Sequence, residues 1–386
     1  MAGRIFLMGA LILTAAAGTI RPLPASRALP AMAENPDQAW ALLPFTKLNR
    51  LNPILVPGPG VFRCPVLGKR ISWESKNVLN PAVVVHGQQV VMLYRAQDSS
   101  GTSRIGIAES SDGLHFVRGA KPVLYPDNDQ EKKYEWPGGC EDPRVVQDDQ
   151  GTYVMTYSAF DGHTARLMVA TSTDLRHWHK RGPAFALAYG GKYLNSWSKS
   201  GAIVARYENG KILATRIGGV YRMYWGDKFI WEAVSPDLIS WQPVEMTPGE
   251  KPPVQLKGEA LNMPDLRIVV ATRSRHFDSD LVESGPPAML TAKGILLLYN
   301  GRNIPEDGDT SLVEGTYAGG QVLMDSQDPS RVIGRLDRYF LKPDQPYEQQ
   351  GQVNQVCFLE GLINFNQHWL LYYGTADSKI AVAWKN

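Results

Sequence analysis

Ser111-Asp112-Gly113-Leu114-His115-Phe116 is echoed twice, by Ser172-Thr173-Asp174-Leu175-Arg176-His177-Trp178 and Ser235-Pro236-Asp237-Leu238-Ile239-Ser240-Trp241. The aspartates fall at 112, 174 and 237, a nearly constant interval. Each phrase follows a short apolar strand: Ile105 to Ala108, Leu167 to Ala170 and Ile230 to Ala233. Upstream of each lies a second strand carrying a tyrosine, Tyr94, Tyr157 or Tyr224. Two more tyrosine strands, ending at Tyr299 and at Tyr372-Tyr373, extend the series to five units. Short strands recurring at a fixed period cannot bury their sheets singly and must pack against their neighbours. The expected fold is all-β, a single-domain five-bladed β-propeller.

Composition agrees with that expectation. Gly (36) and Pro (27) are plentiful, as many tight turns require, and helix signals are sparse. A formal net charge of +2, with no long basic or acidic run, gives no footprint for nucleic acid or an anionic membrane. Arg4, an apolar run from Ile5 to Gly18 and the small-residue site Ala31-Met32-Ala33 read as a signal peptide over residues 1–33. Removing it with its three arginines takes the net charge to −1 and leaves residues 34–386 as the propeller domain. An exported protein, periplasmic or secreted, is expected. Cys64, Cys140 and Cys357 are too scattered for a metal motif; three structural thiols are expected, with a Cys64–Cys357 bridge as the alternative.

The densest chemical phrase is Gly138-Gly139-Cys140-Glu141-Asp142-Pro143-Arg144. Glycines permit unusual torsions, Pro143 is expected to hold Asp142 extended, and Arg144 offers a rigid fork. Such a phrase presents Asp142 as an acid catalyst or ligand clamp; a capped loop with a surface ion pair is the structural alternative. Comparable polar residues open or close strands of the other units: Asn80 and Arg95, Lys199, Asp278 and Glu283, and Asp377. In a propeller these converge on the axis.

With Asn80-Pro81-Ala82, Met92-Leu93-Tyr94-Arg95, Glu141-Asp142-Pro143-Arg144, Thr156-Tyr157 and Tyr372-Tyr373-Gly374-Thr375-Ala376-Asp377, the chain resembles glycoside hydrolase family 130, the mannoside phosphorylases and β-mannosidases. The resemblance runs from about residue 50 to 386. It implies an axial active site in a five-bladed propeller, with Asp142 as general acid, directly or through a sugar hydroxyl. It also implies that Asn80, Arg95, Arg144 and Asp377 hold the mannose, with Tyr373 in the same C-terminal phrase. No metal or organic cofactor is implied; inorganic phosphate enters only as a co-substrate of a phosphorylase.

The two branches differ in the attacking group. A phosphorylase needs a cationic seat for phosphate, whereas an inverting hydrolase needs a second carboxylate to activate water. Family phosphorylases carry arginine where this chain has Lys199, with a second arginine on the next strand, near Arg216 or Arg222. The stretch from Phe277 to Pro287 resembles the hydrolase branch, as does Tyr224-Trp225-Gly226-Asp227 followed by Glu232. Glu283 and Glu232 are the candidate bases, Asp227 is a base or sugar ligand, and Asp278 a sugar ligand or loop cap. A signal peptide favours hydrolysis, because exported sugar 1-phosphate is of no use to the cell that made it. The expectation is an exported inverting β-mannosidase acting on β-linked manno-oligosaccharides. The alternatives are a β-mannoside phosphorylase and a glycan-binding propeller without turnover. Trp178 and Trp241 read as blade core; Trp136 and Trp197, outside the repeat, are candidate sugar platforms.

Overall fold

The second strand of each unit is apolar on both faces, and such a strand needs cover on both sides. Gln89–Gln97 is buried from Val90 through Tyr94, and Tyr153–Phe160 from its first residue to Ala159. The computed structural model describes residues 38–386, so the expected leader at 1–33 lies outside the described residues. These residues are nearly all β, and the two α-helices among them, Lys132–Glu135 and Pro346–Gln349, are single turns.

The strands run as antiparallel meanders. Asn77–His86, Gln89–Gln97, Ser103–Ser110 and Val117–Arg118 pair in order. Gly139–Gln147, Tyr153–Phe160, Ala165–Ser172 and His179–Pro183 follow the same plan. Ala202–Glu208 pairs with Val220–Trp225, which pairs with Ile230–Ser235 and then Gln242–Pro243. Next, Leu281–Ser284 and Ala288–Thr291 share the partner Gly294–Arg302, which continues to Tyr317–Met324 and Val332–Arg335. The C-terminal sheet holds Cys357–Phe365, His368–Thr375 and Lys379–Lys385, and Thr46–Lys47 completes it against Lys379–Lys385. First strands gather together: Asn77–His86 packs between Gly139–Gln147 and Cys357–Phe365, and Ala202–Glu208 runs parallel to Ala288–Thr291.

The repeated aspartate phrase is a self-capped turn. Asp112, Asp174 and Asp237 each accept two backbone N–H bonds through Oδ1, from the residues two and three positions on. Each aspartate also accepts a serine hydroxyl, from Ser110, Ser172 and Ser235. The repeat serine of the first unit is thus Ser110 rather than Ser111. Trp178 and Trp241 donate Nε1–H to the carbonyls of Leu175 and Leu238, tying the ring to its own turn.

The repeated tyrosines anchor a second set of contacts. Tyr94 donates to Glu74, which Arg118 also binds; Tyr157 donates to Glu135, which Lys180 also binds. Tyr299 donates to Asp278, held by Arg273 and Arg335, and Tyr373 donates to Glu348, held by Lys47. In each case the acid precedes the sheet, and the fourth strand supplies Arg118, Lys180, Arg335 or Lys47. The third unit departs: Tyr224 donates to the Pro329 carbonyl instead. Buried carboxylates need such full partnership, because an unpaired buried charge is costly. Cys64, Cys140 and Cys357 are buried and unbridged, so the alternative Cys64–Cys357 disulfide is not formed.

Candidate functional site

On the first strands of three sheets the ladder slips, between Leu79 and Pro81, between Glu141 and Arg144, and between Leu359 and Gly361. Asn80, Asp142 and Glu360 sit at these slips. Asn80 and Asp142 both take φ of 48°, and Ser200, just before Ala202–Glu208, takes 57°. Bulges re-aim side chains, and non-glycine residues at positive φ cost energy that is met where function requires it. Gly374 makes room for one of them: a side chain there would collide with Asn80.

The re-aimed residues meet. Asn80 Nδ2 donates to Asp142 Oδ1 at 2.9 Å, and Arg95 Nη1 donates to the same oxygen at 3.0 Å. Arg95 Nη2 reaches Glu141 at 2.6 Å, and its Nε reaches Ser103. Lys199 Nζ stands between the two expected catalytic acids, 3.8 Å from Asp142 Oδ2 and 3.2 Å from Glu283 Oε1. Those oxygens are therefore at most about 7 Å apart, the sum of the two contacts. Ser200 Oγ donates to Glu283. Trp197 Nε1 donates to Asp227, whose charge acts on both Lys199 and Glu283. Half-buried Asp377 lies near enough to influence Arg95, Asp142 and Lys199. A cleft of about 470 Å³ adjoins this cluster, with Arg95, Glu141, Trp136 and Phe160 among its walls.

Electrostatics divide the acids. Burial works to raise the Asp142 carboxyl, but Arg95, Lys199, Asn80 and Arg144 outweigh it and hold it well below the usual carboxylate range. Burial raises Glu283 despite Lys199, with Asp227 adding to the rise. Burial likewise raises Glu141 against the pull of Arg95. Asp377 is pushed up to about 6, by burial first, with Asp142 and Glu283 adding to the rise against Arg95 and Lys199. Lys199 stays an ammonium: burial opposes its charge, but Glu283, Asp142 and Asp227 more than compensate.

The structure thus brings together Asn80, Arg95, Asp142, Arg144, Lys199, Asp227, Glu283 and Asp377. Three expected site residues are placed elsewhere, each for a visible reason. Glu232 is bound by Arg222 and by Ser330 Oγ, so its carboxylate serves a neighbouring packing contact. Asp278 and Tyr373 belong to the tyrosine–carboxylate–cation contacts of their own sheets. Arg144 is in the cluster but turns its fork on backbone: Nε to Gly285 O, Nη2 to Ser284 O and Nη1 to Asp142 O. It braces the two acid-bearing segments, where a sugar contact was expected. Glu141 and Glu360 were not singled out as site residues. The available signal was the acid followed by glycine in Leu359-Glu360-Gly361, which matches Asn80-Pro81 and Ser200-Gly201 as an acid or polar residue before a backbone-restricting or permissive one.

The chain was compared with known proteins. A family model described as Glyco_hydro_130, beta-1,4-mannooligosaccharide phosphorylase, matches residues 66–386. The 1,2-beta-oligomannan phosphorylase of Thermoanaerobacter sp. (strain X514) is 29% identical over 349 residues, 87% of this chain and 96% of that one. A solved glycosyl hydrolase from Bacteroides ovatus is 44% identical, with a TM-score of 0.83, covering 90% of this chain and 95% of its own. Another solved structure, at 45% identity and a TM-score of 0.84, covers 90% of this chain and 95% of its own. It is described as showing that the GH130 family of mannoside phosphorylases contains glycoside hydrolases that target beta-1,2 mannosidic linkages in Candida mannan. Matched from residue 66 to its C-terminal strand, the chain belongs to glycoside hydrolase family 130.

Proposed function

We propose that the protein is an exported, inverting enzyme that releases mannose from β-linked mannosides, with water as the attacking group. The sheets are read as five blades of one propeller, whose first strands present the site. The observation that carries the reading is that Lys199 contacts both Asp142 and Glu283, which puts the two carboxyls within about 7 Å of each other. An inverting hydrolase sets its two carboxyls roughly 6.5–9.5 Å apart to admit a water molecule. Glu283, its carboxyl raised by burial against the pull of Lys199 and Ser200, is the base of this reading. Asp142 accepts in the resting site, where its cations keep it ionised. To act as the acid it takes up a proton from water as substrate binds and passes it to the leaving oxygen, directly or through a sugar hydroxyl, while the base removes one from the attacking water. Asn80, Arg95, Asp227 and Asp377 orient the mannose, and Trp136 lines the cleft that suits the leaving sugar.

Phosphorolysis to mannose 1-phosphate is the second reading. The Thermoanaerobacter relative's name favours it, and on the named relatives alone it is the better supported of the two. The local charge supports water. Glu141, Asp142, Asp227, Glu283 and Asp377 surround Arg95, Arg144 and Lys199, whose hydrogen bonds and charge contacts go to these acids, to Ser103 and to backbone carbonyls. A phosphate dianion would enter a field that is already negative. Arg216 and Arg222, the possible second arginine, bind the Pro236 and Gly219 carbonyls and Glu232 respectively. The 45% identical solved structure also favours hydrolysis.

Proton NMR of the products formed from β-1,2-mannobiose, with and without phosphate, tests both readings. Free α-mannose without phosphate is expected. Mannose 1-phosphate appearing only with phosphate would replace water by phosphate as the acceptor.

A further inference from the structure

The buried carboxyl of Glu360 has no role in the mechanism above. Its residue is 0% exposed, and neither side-chain oxygen accepts a hydrogen bond from a protein group. It lies 3.6 Å from Arg144 Nη1, yet that arginine directs its N–H groups at the carbonyls of Asp142, Ser284 and Gly285. The backbone around Glu360 is built to aim it. Asn300, itself fully buried, donates to the Leu359 carbonyl at 3.1 Å and accepts from the Leu359 N–H at 2.7 Å. That pair of bonds secures the slip in the ladder at which Glu360 is turned out.

Arg144 joins the Asp142 backbone to Ser284 and Gly285, the residues after Glu283. Its position therefore sets the relation between the two acids. An ionised Glu360 beside it would compete for its N–H groups, and a buried ion without hydrogen bonds is expensive. A neutral carboxylic acid of the same shape fills the space beside Arg144 and leaves the three carbonyl bonds intact. The charged groups facing Glu360 are Arg144 and Asp142 from Gly139–Gln147, Glu283 from Leu281–Ser284, and Lys199. Burial, then Asp142 and Glu283, raises the Glu360 carboxyl well above the usual range against Arg144 and Lys199.

We propose that Glu360 is a positioning residue which, as a neutral acid, seats Arg144 and through it fixes the spacing of Asp142 and Glu283. This rests on those two residues being the reacting acids. The acceptor does not enter: each variant is compared with wild type using whichever of water or phosphate the wild type uses.

The test is steady-state kinetics on Glu360→Leu, Glu360→Gln, Arg144→Lys and the double variant Glu360→Leu/Arg144→Lys. Glu360→Leu is expected to lower kcat about 100-fold, the effect of roughly an ångström of misplacement, with KM within about threefold. Glu360→Gln, neutral and of the same shape, is expected to restore kcat to within about fivefold of wild type. Arg144→Lys should resemble Glu360→Leu, and the double variant should be no more than about threefold worse than either, because both act through one contact. A glutamine variant as slow as the leucine variant would overturn the neutral-acid assignment. Independent losses multiplying to about 10⁴-fold in the double variant would overturn the route through Arg144. Should Glu360→Leu not fold, Glu360→Gln and Arg144→Lys still decide. Loss beyond about fivefold in the first, or near-wild-type kcat in the second, removes the proposal.

Discussion

Asp142 and Asp278 are both buried aspartates held by arginine, yet they stand in opposite situations. Asp278 receives Arg273, Arg335 and the Tyr299 hydroxyl, and lies in a setting that recurs with Glu74, Glu135 and Glu348. Asp142 sits on a strained bulge, in a group where Glu141, Asp142, Asp227, Glu283 and Asp377 share Arg95, Arg144 and Lys199. Burial and an ion pair therefore do not mark a functional site in this molecule. Incomplete compensation does: where carboxylates outnumber cations, charge is left over to act on a ligand.

That contrast is easiest to break with paired substitutions. Asp142→Asn is expected to lower turnover by at least about 10³-fold while leaving the thermal midpoint nearly unchanged, since the amide keeps the shape and loses the proton. Asp278→Asn should do the reverse, retaining turnover and losing about 3–5 kcal/mol of stability as two arginines lose their counter-ion. Kinetics and thermal melts on both proteins check the pair; a turnover loss in Asp278→Asn would erase the distinction.

Lys180→Met probes the outer contacts from the cationic side. It leaves Glu135, fully buried, with the Tyr157 hydroxyl and the Cys140 thiol but no cation, and about 3–5 kcal/mol should be lost in denaturant unfolding. Asp377 sharpens the comparison through pH. Its folded-state value of about 6 lies above its ordinary 3.8, so the folded protein binds the extra proton between about pH 4 and 6. Stability contributed by that proton is present at low pH and lost as pH rises through 6. Asp377→Asn should therefore stabilise the protein at pH 7 by about 3 kcal/mol, lower turnover, and flatten the melting temperature across that window. Arg176→Ala removes a solvent-exposed pair with Glu109 and should change stability by less than about 1 kcal/mol. A larger change would mean that surface pairs share the importance assigned to buried ones.

The repeated phrases disclosed the all-β meanders because turn chemistry is local: serine, aspartate and two backbone N–H groups close within a few residues. They could not disclose which acid before a strand turns inward. Asp278 and Glu283 stand five residues apart in one loop-strand segment, and one joins Tyr299 while the other meets Lys199. Glu232 alternates along its strand as a site residue would, but its side of the strand faces Arg222 and Ser330. Asn80 and Asp142 were legible because a proline marks each, although the extended backbone that proline favours is replaced by φ of 48° at both. Glu360 was hidden in an apolar strand, where a lone acid reads as simple alternation.

Thr46–Lys47 pairs with Lys379–Lys385, and Lys47 supplies the ammonium that neutralises buried Glu348 beneath Tyr373. The C-terminal sheet thus unites strands from opposite ends of the described chain, about 340 residues apart. Contacts of such sequence separation form late, because the loop they close must be ordered first. A partly synthesised or partly threaded chain cannot make this seal. Completion of this sheet, and with it the placement of Asp377 just before Lys379–Lys385, waits on the pairing of Thr46–Lys47 with that strand. Activity consequently reports on the integrity of the whole chain.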